Sequence, residues 1–177
     1  ESLRYVWEKL DNDGKKLKWS QSNLHEEKMN YALKQIKGID KDYFLSKVTK
    51  AYMAIIGDGK SGVYCDDSLE VPKNLKNKTK NDIALDQFDL LITNPPFGSK
   101  IPVRGEEKLS QYELGHSFTY KDNSWIKSKL KDKEAPQILF IERCIQLLKE
   151  GGRMGIVLPD GILGNDRMGY IREYIHN

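Results

Sequence analysis

The chain has 177 residues, of which 38% are hydrophobic and 31% are charged, with a formal net charge of +3. This length is enough for one domain with a real core, and the sequence contains no apolar run near the ~20 residues that a membrane-spanning helix needs. The mild positive charge permits nucleic-acid binding but does not indicate it, because DNA-binding domains usually have a stronger basic bias.

The first part of the sequence predicts helices and short strands. Apolar residues at helical spacing, followed by turn residues at 11–14, favour a short first helix. Asp40 follows the first predicted strand, and Asp42 can cap the next helix because its carboxylate accepts the free N–H groups of a first turn. Gly57 would end that helix. The expected elements are a helix near 3–10, a helix or turn near 25–33, a strand at 35–39, a helix at 44–56 and a strand at 61–65.

The second part contains two long polar segments between regular elements. Segment 71–87 is rich in Lys and Asn, and we expect it to be an exposed loop. Segment 99–135 shows no steady period, and a loop of that length is usually functional or disordered. The other expected elements are a strand at Phe88–Thr93, a helix at 138–148, a strand at 153–158 and a final helix at 170–175.

Strands that alternate with helices predict an α/β fold in which a parallel sheet is covered on both faces. Ligands of such folds bind beyond the carboxyl ends of the strands. Asp40, Asp67 and Asn94 each follow a predicted strand. The sequence therefore predicts that these three side chains border a ligand site.

The most informative segment is Asn94-Pro95-Pro96-Phe97. Five of the six residues before it, at 88–93, are apolar or β-branched, which predicts a buried strand. The strand ends at two prolines, which lack a backbone N–H and fix φ. An ordinary Asn-Pro turn is the simpler interpretation, but the strand directly before the segment favours a functional motif.

The chemistry of this segment suits a flat base that carries an amino group. The amide oxygen of Asn94 and a proline carbonyl can accept both amino hydrogens, while the ring of Phe97 stacks on the base. Two such acceptors would pull the amino nitrogen toward sp³ geometry and free its lone pair. No strong base is then needed, which agrees with the absence of Cys, His and Glu from the motif.

These residues resemble the signature of the amino-group methyltransferases that use S-adenosylmethionine. The wider chain, over about residues 38–163, is similar to the modification (M) subunit of type I restriction–modification systems, the N6-adenine DNA methylases. The similar segments follow the order of that family: 38–40, 44–59, 67–69, 94–98, 140–148, 151–153 and 156–161.

The resemblance implies a Rossmann-like, S-adenosylmethionine-dependent methyltransferase fold with a doubly wound, mostly parallel sheet. It implies that Asp40, with Ile39, binds the cofactor ribose, and that Asp67, with Ser68, lies at the cofactor adenine. Asp66 is the alternative to Asp67, which we prefer because the residues after it match the family.

The resemblance also implies that Asn94, Pro95, Pro96 and Phe97 are catalytic. The implied activity is methylation of N6 of an adenine that is flipped out of double-stranded DNA. The implied partners are a specificity subunit and a restriction subunit of a type I system.

Two alternatives to this function stay open. One is an amino-group methyltransferase acting on protein glutamine or on guanine N2 of RNA, whose motif usually has Tyr where Phe97 stands. The other is a non-catalytic DNA-binding or scaffold remnant.

One departure from the family concerns the first strand and the Gly-rich loop that holds the methionine part of the cofactor. This sequence has no counterpart of either, and Ser2–Lys9 resembles the helix that would follow them. We therefore expect residues 1–177 to form a partial catalytic domain, with no second domain, that is inactive alone. We expect the gap in the sheet to be filled by a dimer, by a swapped segment or by closure of its two halves, because unpaired strand edges capture other chains.

The cysteines and histidines predict no metal site. Cys65 and Cys144 form neither a disulfide framework nor a metal-ligand spacing, and the three histidines are isolated. Cysteines in such a pattern are typical of buried thiols in a reducing compartment, so we expect a cytoplasmic protein.

Overall fold

The computed structural model describes residues 2–56, 62–98 and 101–176. These residues form two compact units, and each unit is described by itself. Unit 1 contains the residues up to 68 together with 75–83, and unit 2 contains 69–74 and the residues from 84 onward. Within the described ranges, no helix is both long enough and apolar enough to cross a membrane.

Unit 1 is built around a pair of parallel strands. Its elements are α1 (Ser2–Lys16), α2 (Gln21–Gln35), β1 (Lys37–Asp40), α3 (Tyr43–Ile56), β2 (Gly62–Cys65) and α4 (Asn77–Asp82). The register places Lys37 opposite Gly62 and Asp40 opposite Cys65. The carboxyl ends of β1 and β2 therefore lie side by side, as expected from the alternation of strands and helices.

The first helix is longer than the sequence predicted. α1 continues through residues 11–14 because these residues pack the helix against α2. Gly14 is buried, and a Cβ atom at this position would lie 3.2 Å from Leu24 Cδ1. Asp11 forms an ion pair with Lys28 of α2, with Nζ and Oδ1 2.7 Å apart. The predicted stop at 11–14 was therefore wrong.

The start of α3 confirms the predicted cap. The backbone N–H of Leu45 donates to Oδ1 of Asp42 over 2.8 Å, and that of Ser46 donates to the Asp42 carbonyl. The predicted helix end at Gly57 lies outside the described residues.

Segment 71–87 is more ordered than the predicted exposed loop. It contains a 3-10 turn (Pro72–Asn74) and α4, and Thr79 and Ile83 are buried. The Asp66 carboxylate accepts hydrogen bonds from Lys76 N at 2.9 Å and from Thr79 Oγ1 at 2.8 Å. These bonds fix the start of α4, which the polar composition of the segment did not indicate.

Unit 2 contains a second pair of parallel strands and several short elements. Its elements are β3 (Phe88–Thr93), β4 (Val103–Arg104), α5 (Glu106–Ser110), β5 (His116–Lys121), β6 (Ser124–Leu130), β7 (Lys133–Glu134), α6 (Pro136–Leu147), β8 (Leu148–Ile156), α7 (Asp160–Gly164) and α8 (Gly169–His176). β3 pairs with β8, with Thr93 opposite Ile156. The main core consists of Leu114, Ile138, Ile141, Ile162, Tyr170 and Ile171.

β3 has the predicted bounds but not the predicted burial. Leu90 and Ile92 are 59% and 68% exposed, whereas Leu91 and Thr93, on the opposite face, are half-buried. The covered face of the pair packs toward the main core, which Ile156 contacts. The apolar run was read as a strand covered on both faces, and the structure covers only one of them.

Segment 99–135 was expected to be a long polar loop, but its described part contains two antiparallel pairs. β4 pairs with β7, and β5 pairs with β6 in a hairpin. The hairpin turn consists of Asp122 and Asn123, whose φ angles are +51° and +62°. Asn and Asp tolerate this left-handed region better than most residues, which explains why the hairpin forms without glycine.

The observed fold class is mixed α/β. The parallel pairs β1–β2 and β3–β8 agree with the predicted α/β arrangement, and each of the four sheets in the described residues has two strands. The wider doubly wound Rossmann-like sheet stays a prediction, as does the assignment of residues 1–177 to one partial domain.

Candidate active site

The Asn94–Phe97 segment begins where the ladder of β3 and β8 ends. The last bond at this end joins Val157 N to the Thr93 carbonyl over 3.2 Å. Pro95 is buried, whereas Asn94, Pro96 and Phe97 are exposed. The buried proline anchors the turn, and neither proline can donate a backbone hydrogen bond.

The two side chains that were predicted to hold a base are accessible. The Phe97 ring is 54% exposed, and Asn94 is exposed as the first residue after the strand. Among residues 2–56, 62–98 and 101–176, no hydrogen bond engages the Asn94 carboxamide. Its oxygen is therefore available to accept a hydrogen bond from a ligand.

Gly98 closes this segment with a backbone angle that favours glycine. Its φ is +96°, and a Cβ atom built there would meet nothing within 4 Å. Glycine is therefore favoured at position 98 by its backbone angle and not by a lack of space, because residues with a side chain rarely adopt this φ. The chain turns sharply directly after Phe97 and leaves the ring at the surface.

Unit 1 holds the predicted ribose-binding residues at the end of β1. Asp40 is the last residue of the strand, and its Oδ1 accepts a hydrogen bond from Asp42 N over 2.8 Å. Its carbonyl accepts a hydrogen bond from Asp66 N over 3.1 Å, which continues the pairing with β2. Ile39 lies opposite Tyr64 in the register. The Asp40 carboxylate is half-buried, with an oxygen left for a further hydrogen bond.

The acidic pair after β2 divides into two roles. Asp66 is used within unit 1, where its carboxylate holds the start of α4. The Asp67 carboxylate contacts Lys41, with Nζ and Oδ2 3.2 Å apart, and the Lys41 side chain is 79% exposed. Ser68 follows Asp67 and is half-buried. Asp66 thus fixes α4, whereas Asp67 is paired with Lys41, and the choice of Asp67 for the cofactor stays a prediction.

The predicted site residues thus fall into two groups. Asp40 and Asp67 follow adjacent strands of unit 1, and Asn94 and Phe97 follow β3 of unit 2. Each group lies at the carboxyl end of a parallel pair. That is where ligands bind in α/β folds.

A buried polar network on α6 was not predicted. Glu142 accepts hydrogen bonds from the backbone N–H groups of Glu113 and Leu114, both over 2.8 Å. Arg143 donates to the Tyr112 hydroxyl, with Nε and the oxygen 2.9 Å apart. The signal was present in the sequence, since two charged residues interrupt the apolar face of this helix.

Burial sets the ionisation of several groups in unit 2. It raises the pKa of the Glu142 carboxyl, although two backbone N–H groups oppose the shift. It also raises the pKa of the Cys144 thiol to about 12, so this cysteine is a neutral core residue at physiological pH. Cys65 is half-buried, and both cysteines are free.

Comparisons with known proteins give one family match and one relative that is described as a methyltransferase. A sequence profile of the N-6 DNA methylase family matches residues 16–177. An Escherichia coli protein described as a type II restriction enzyme and methyltransferase is 32% identical over 94 residues. The aligned part covers 53% of this chain and 8% of that relative, so the chain spans a small part of the relative's length.

Proposed function

The chain belongs to the N-6 DNA methylase family, and we propose that the natural protein containing it methylates N6 of adenine in double-stranded DNA with S-adenosylmethionine. The observation that supports this proposal most is the exposed pair formed by Asn94 and Phe97 at the end of β3. An accessible amide beside an accessible ring suits an aminated base better than it suits a structural turn.

The residues of unit 2 would act on the base by position and not by acid–base chemistry. A target adenine is inaccessible inside the duplex and has to be flipped out. Phe97 would stack on its face. Asn94 Oδ1 and the Pro95 carbonyl would accept the two hydrogens of N6, which directs the nitrogen lone pair out of the ring system. Because Pro95 is buried and both prolines are stiff, this grip is held in place before the base arrives.

The residues of unit 1 fit the cofactor. Carboxylates at the ends of parallel strands commonly accept hydrogen bonds from ribose hydroxyls, and Asp40 has this position. Asp67, with Ser68, would accept the amino group of the cofactor adenine, and Ile39 would line the ribose site. When bound, S-adenosylmethionine supplies the electrophilic methyl group.

The test of this function is transfer of labelled methyl groups by the full natural protein to a duplex, followed by separation of the nucleosides. We expect the label in N6-methyladenine. Label in protein glutamine or in guanine N2 of RNA would instead establish the alternative amino-group methyltransferases. Binding of DNA without any transfer would establish the non-catalytic remnant.

We propose a cytoplasmic restriction–modification system as the setting. The type I resemblance implies a specificity subunit and a restriction subunit as partners. The E. coli relative favours a second arrangement, because its description joins a type II restriction enzyme and a methyltransferase. Methylation by the full polypeptide without any added subunit would support the type II arrangement and contradict the type I assignment.

Of the three ways of filling the gap expected from the sequence, we propose the dimer, and we propose that residues 1–177 alone are inactive. The support is the apolar surface that β3 leaves uncovered at Leu90 and Ile92. Sedimentation of the isolated chain is expected to show a dimer. A monomer at all concentrations, or micromolar binding of S-adenosylmethionine by this chain alone, would contradict the proposal.

A further inference from the structure

The β5–β6 hairpin is anchored firmly to α8. The ring of Phe118 stacks on Tyr170 with centroids 4.7 Å apart and an interplanar angle of 12°, and Trp125 meets the same tyrosine edge-on at 5.8 Å. A Cβ atom on Gly169 would lie 2.7 Å from Trp125 Nε1, so glycine gives the indole its space. The hairpin therefore has a fixed direction relative to the rest of unit 2.

This anchor packs on the core that also contacts β8, the partner strand of β3. Phe118 and Trp125 pack on the main core together with Ile156 and Leu158. Ile156 is the residue opposite Thr93, which directly precedes Asn94. The hairpin and β8, the strand that pairs with β3, therefore pack on the same core.

Four exposed basic side chains lie on the hairpin and on the neighbouring β4–β7 pair. We call them the basic strip: Arg104, Lys121, Lys129 and Lys133. In the described part of the chain, none of the four forms an ion pair. The nearby Lys127 and Lys131 differ, because they are paired with Glu113 and Glu134.

Two members of the basic strip are in an unfavourable position. Arg104 lies directly opposite Lys133 in the antiparallel register, and like charges at such positions destabilise a sheet. An anionic partner between the two would remove this cost. The structure therefore points to a ligand that carries repeated negative charges.

We infer that the basic strip binds backbone phosphates of the DNA duplex beside the flipped adenine. This inference rests on the proposed function, and it adds a surface that positions the duplex. DNA fits better than an acidic protein, because the chain belongs to the N-6 DNA methylase family and a duplex carries phosphate charges at regular intervals along its backbone. Phosphate contacts of this kind fix register and orientation without reading sequence.

The experiment compares two variants of the full natural protein that lose the same number of charges. The test variant carries Arg104→Gln, Lys121→Gln, Lys129→Gln and Lys133→Gln. The control variant changes four exposed lysines of unit 1 and carries Lys9→Gln, Lys15→Gln, Lys16→Gln and Lys50→Gln. Affinity for a target duplex is measured by fluorescence anisotropy over a range of salt concentrations, beside cofactor affinity and melting temperature.

We expect the test variant to bind the duplex at least about tenfold more weakly at physiological salt, with the slope of log K against log salt reduced by roughly 3 to 4, since each phosphate contact contributes about 0.9. Cofactor affinity should not change, and the melting temperature should stay equal or rise, because the Arg104–Lys133 repulsion is gone. The control variant should keep most of the wild-type slope of log K against log salt.

Three results would overturn the inference. One is a test variant with the DNA affinity and salt slope of the wild type, while the wild type methylates DNA. Another is equal loss in the test and control variants, which would mean that only net charge matters. The third is loss of binding to an acidic protein partner with DNA binding intact. A wild-type protein that neither binds nor methylates duplex DNA would instead refute the proposed function, and this inference with it.

Discussion

Two irregular segments of unit 2 have opposite characters. The turn at 94–98 presents Asn94 and Phe97 to solvent, and no described residue holds the amide. The turn at 111–115 is equally irregular, but Tyr112 and Leu114 are fully buried and Glu142 of α6 binds its backbone. The buried turn therefore has its polar groups satisfied within the protein, whereas the Asn94 amide has no hydrogen-bond partner among the described residues.

The comparison shows how a fold can present a binding group and keep it fixed. Prolines stiffen the turn at 94–98, so its side chains need no hydrogen bonds to stay in place. In the turn at 111–115, Glu142 of α6 holds the main chain, and Arg143 of α6 donates to the Tyr112 hydroxyl. Substitutions in the turn at 94–98 should therefore change activity and leave stability unchanged. Substitutions in the turn at 111–115 should lower stability and leave the chemistry of the site unchanged.

The largest expected effect is that of Asn94→Ala on methyl transfer. We expect turnover to fall by about a hundredfold or more, the scale seen when one preorganised hydrogen-bonding group is removed from an active site. Cofactor affinity and melting temperature should not change. Asn94→Asp is the matched control, because it keeps an acceptor and should retain more activity than the alanine variant. Wild-type turnover in Asn94→Ala would show that this amide has no catalytic role.

The second-largest expected effect is a loss of stability on changing the residue that holds the buried turn at 111–115. Glu142→Ala removes the acceptor of two backbone N–H groups, those of Glu113 and Leu114. Each unsatisfied group costs about 1–3 kcal/mol, so we expect the free energy of unfolding to fall by about 2–6 kcal/mol in urea titrations. Glu150→Ala, at an exposed position, is the control and should have almost no effect. Equal stabilities of the two variants would refute the role of Glu142.

The same carboxyl predicts a pH dependence. Because burial raises the pKa of Glu142 in the native state above its ordinary value of 4.5, the native protein binds this proton more tightly than the unfolded chain. The resulting stabilisation is fully present below pH 4.5 and is lost as the pH rises through the native pKa. Relative to Glu142→Gln, the wild type should therefore gain stability on acidification from pH 8 to pH 5. A wild type that instead loses stability relative to Glu142→Gln between pH 8 and pH 5 would contradict the raised pKa of Glu142.

The smallest effect concerns the ion pair of Lys41 with Asp67 in unit 1. If Asp67 accepts the cofactor adenine, Lys41 competes for it, and Lys41→Met should raise affinity for S-adenosylhomocysteine in calorimetry. An exposed pair contributes up to about 1 kcal/mol, so the gain should be no more than about fivefold. Lys47→Met, on the exposed surface of α3, is the control. Weaker binding in Lys41→Met would show that Lys41 assists the cofactor.

The sequence predicted elements where local periodicity decides structure. α3 and its Asp42 cap were confirmed, as were the bounds of β3. It missed elements that depend on distant partners. α4 needs the Asp66 carboxylate, and the β5–β6 hairpin needs a turn in which Asp122 and Asn123 both adopt positive φ. Neither requirement produces a periodic pattern.

The roles of the candidate site residues stay predictions, and the structure tests only where these residues lie. Asn94 and Phe97 were identified from residue chemistry, and the structure places them at the surface. The exposure of Leu90 and Ile92 could not be read from an apolar run, because burial depends on what packs against each face of the sheet. Lys41 was missed because only the pairing of β1 with β2 brings it to Asp67.

The most direct test of the central claim is a crystal structure of the full natural protein with a target duplex and S-adenosylhomocysteine. We predict an extrahelical adenine stacked on Phe97, with its N6 at hydrogen-bond distance, about 2.7–3.2 Å, from Asn94 Oδ1 and the Pro95 carbonyl. An adenine that stays paired in the duplex, or an Asn94 amide turned away from the base toward the protein, would contradict the account.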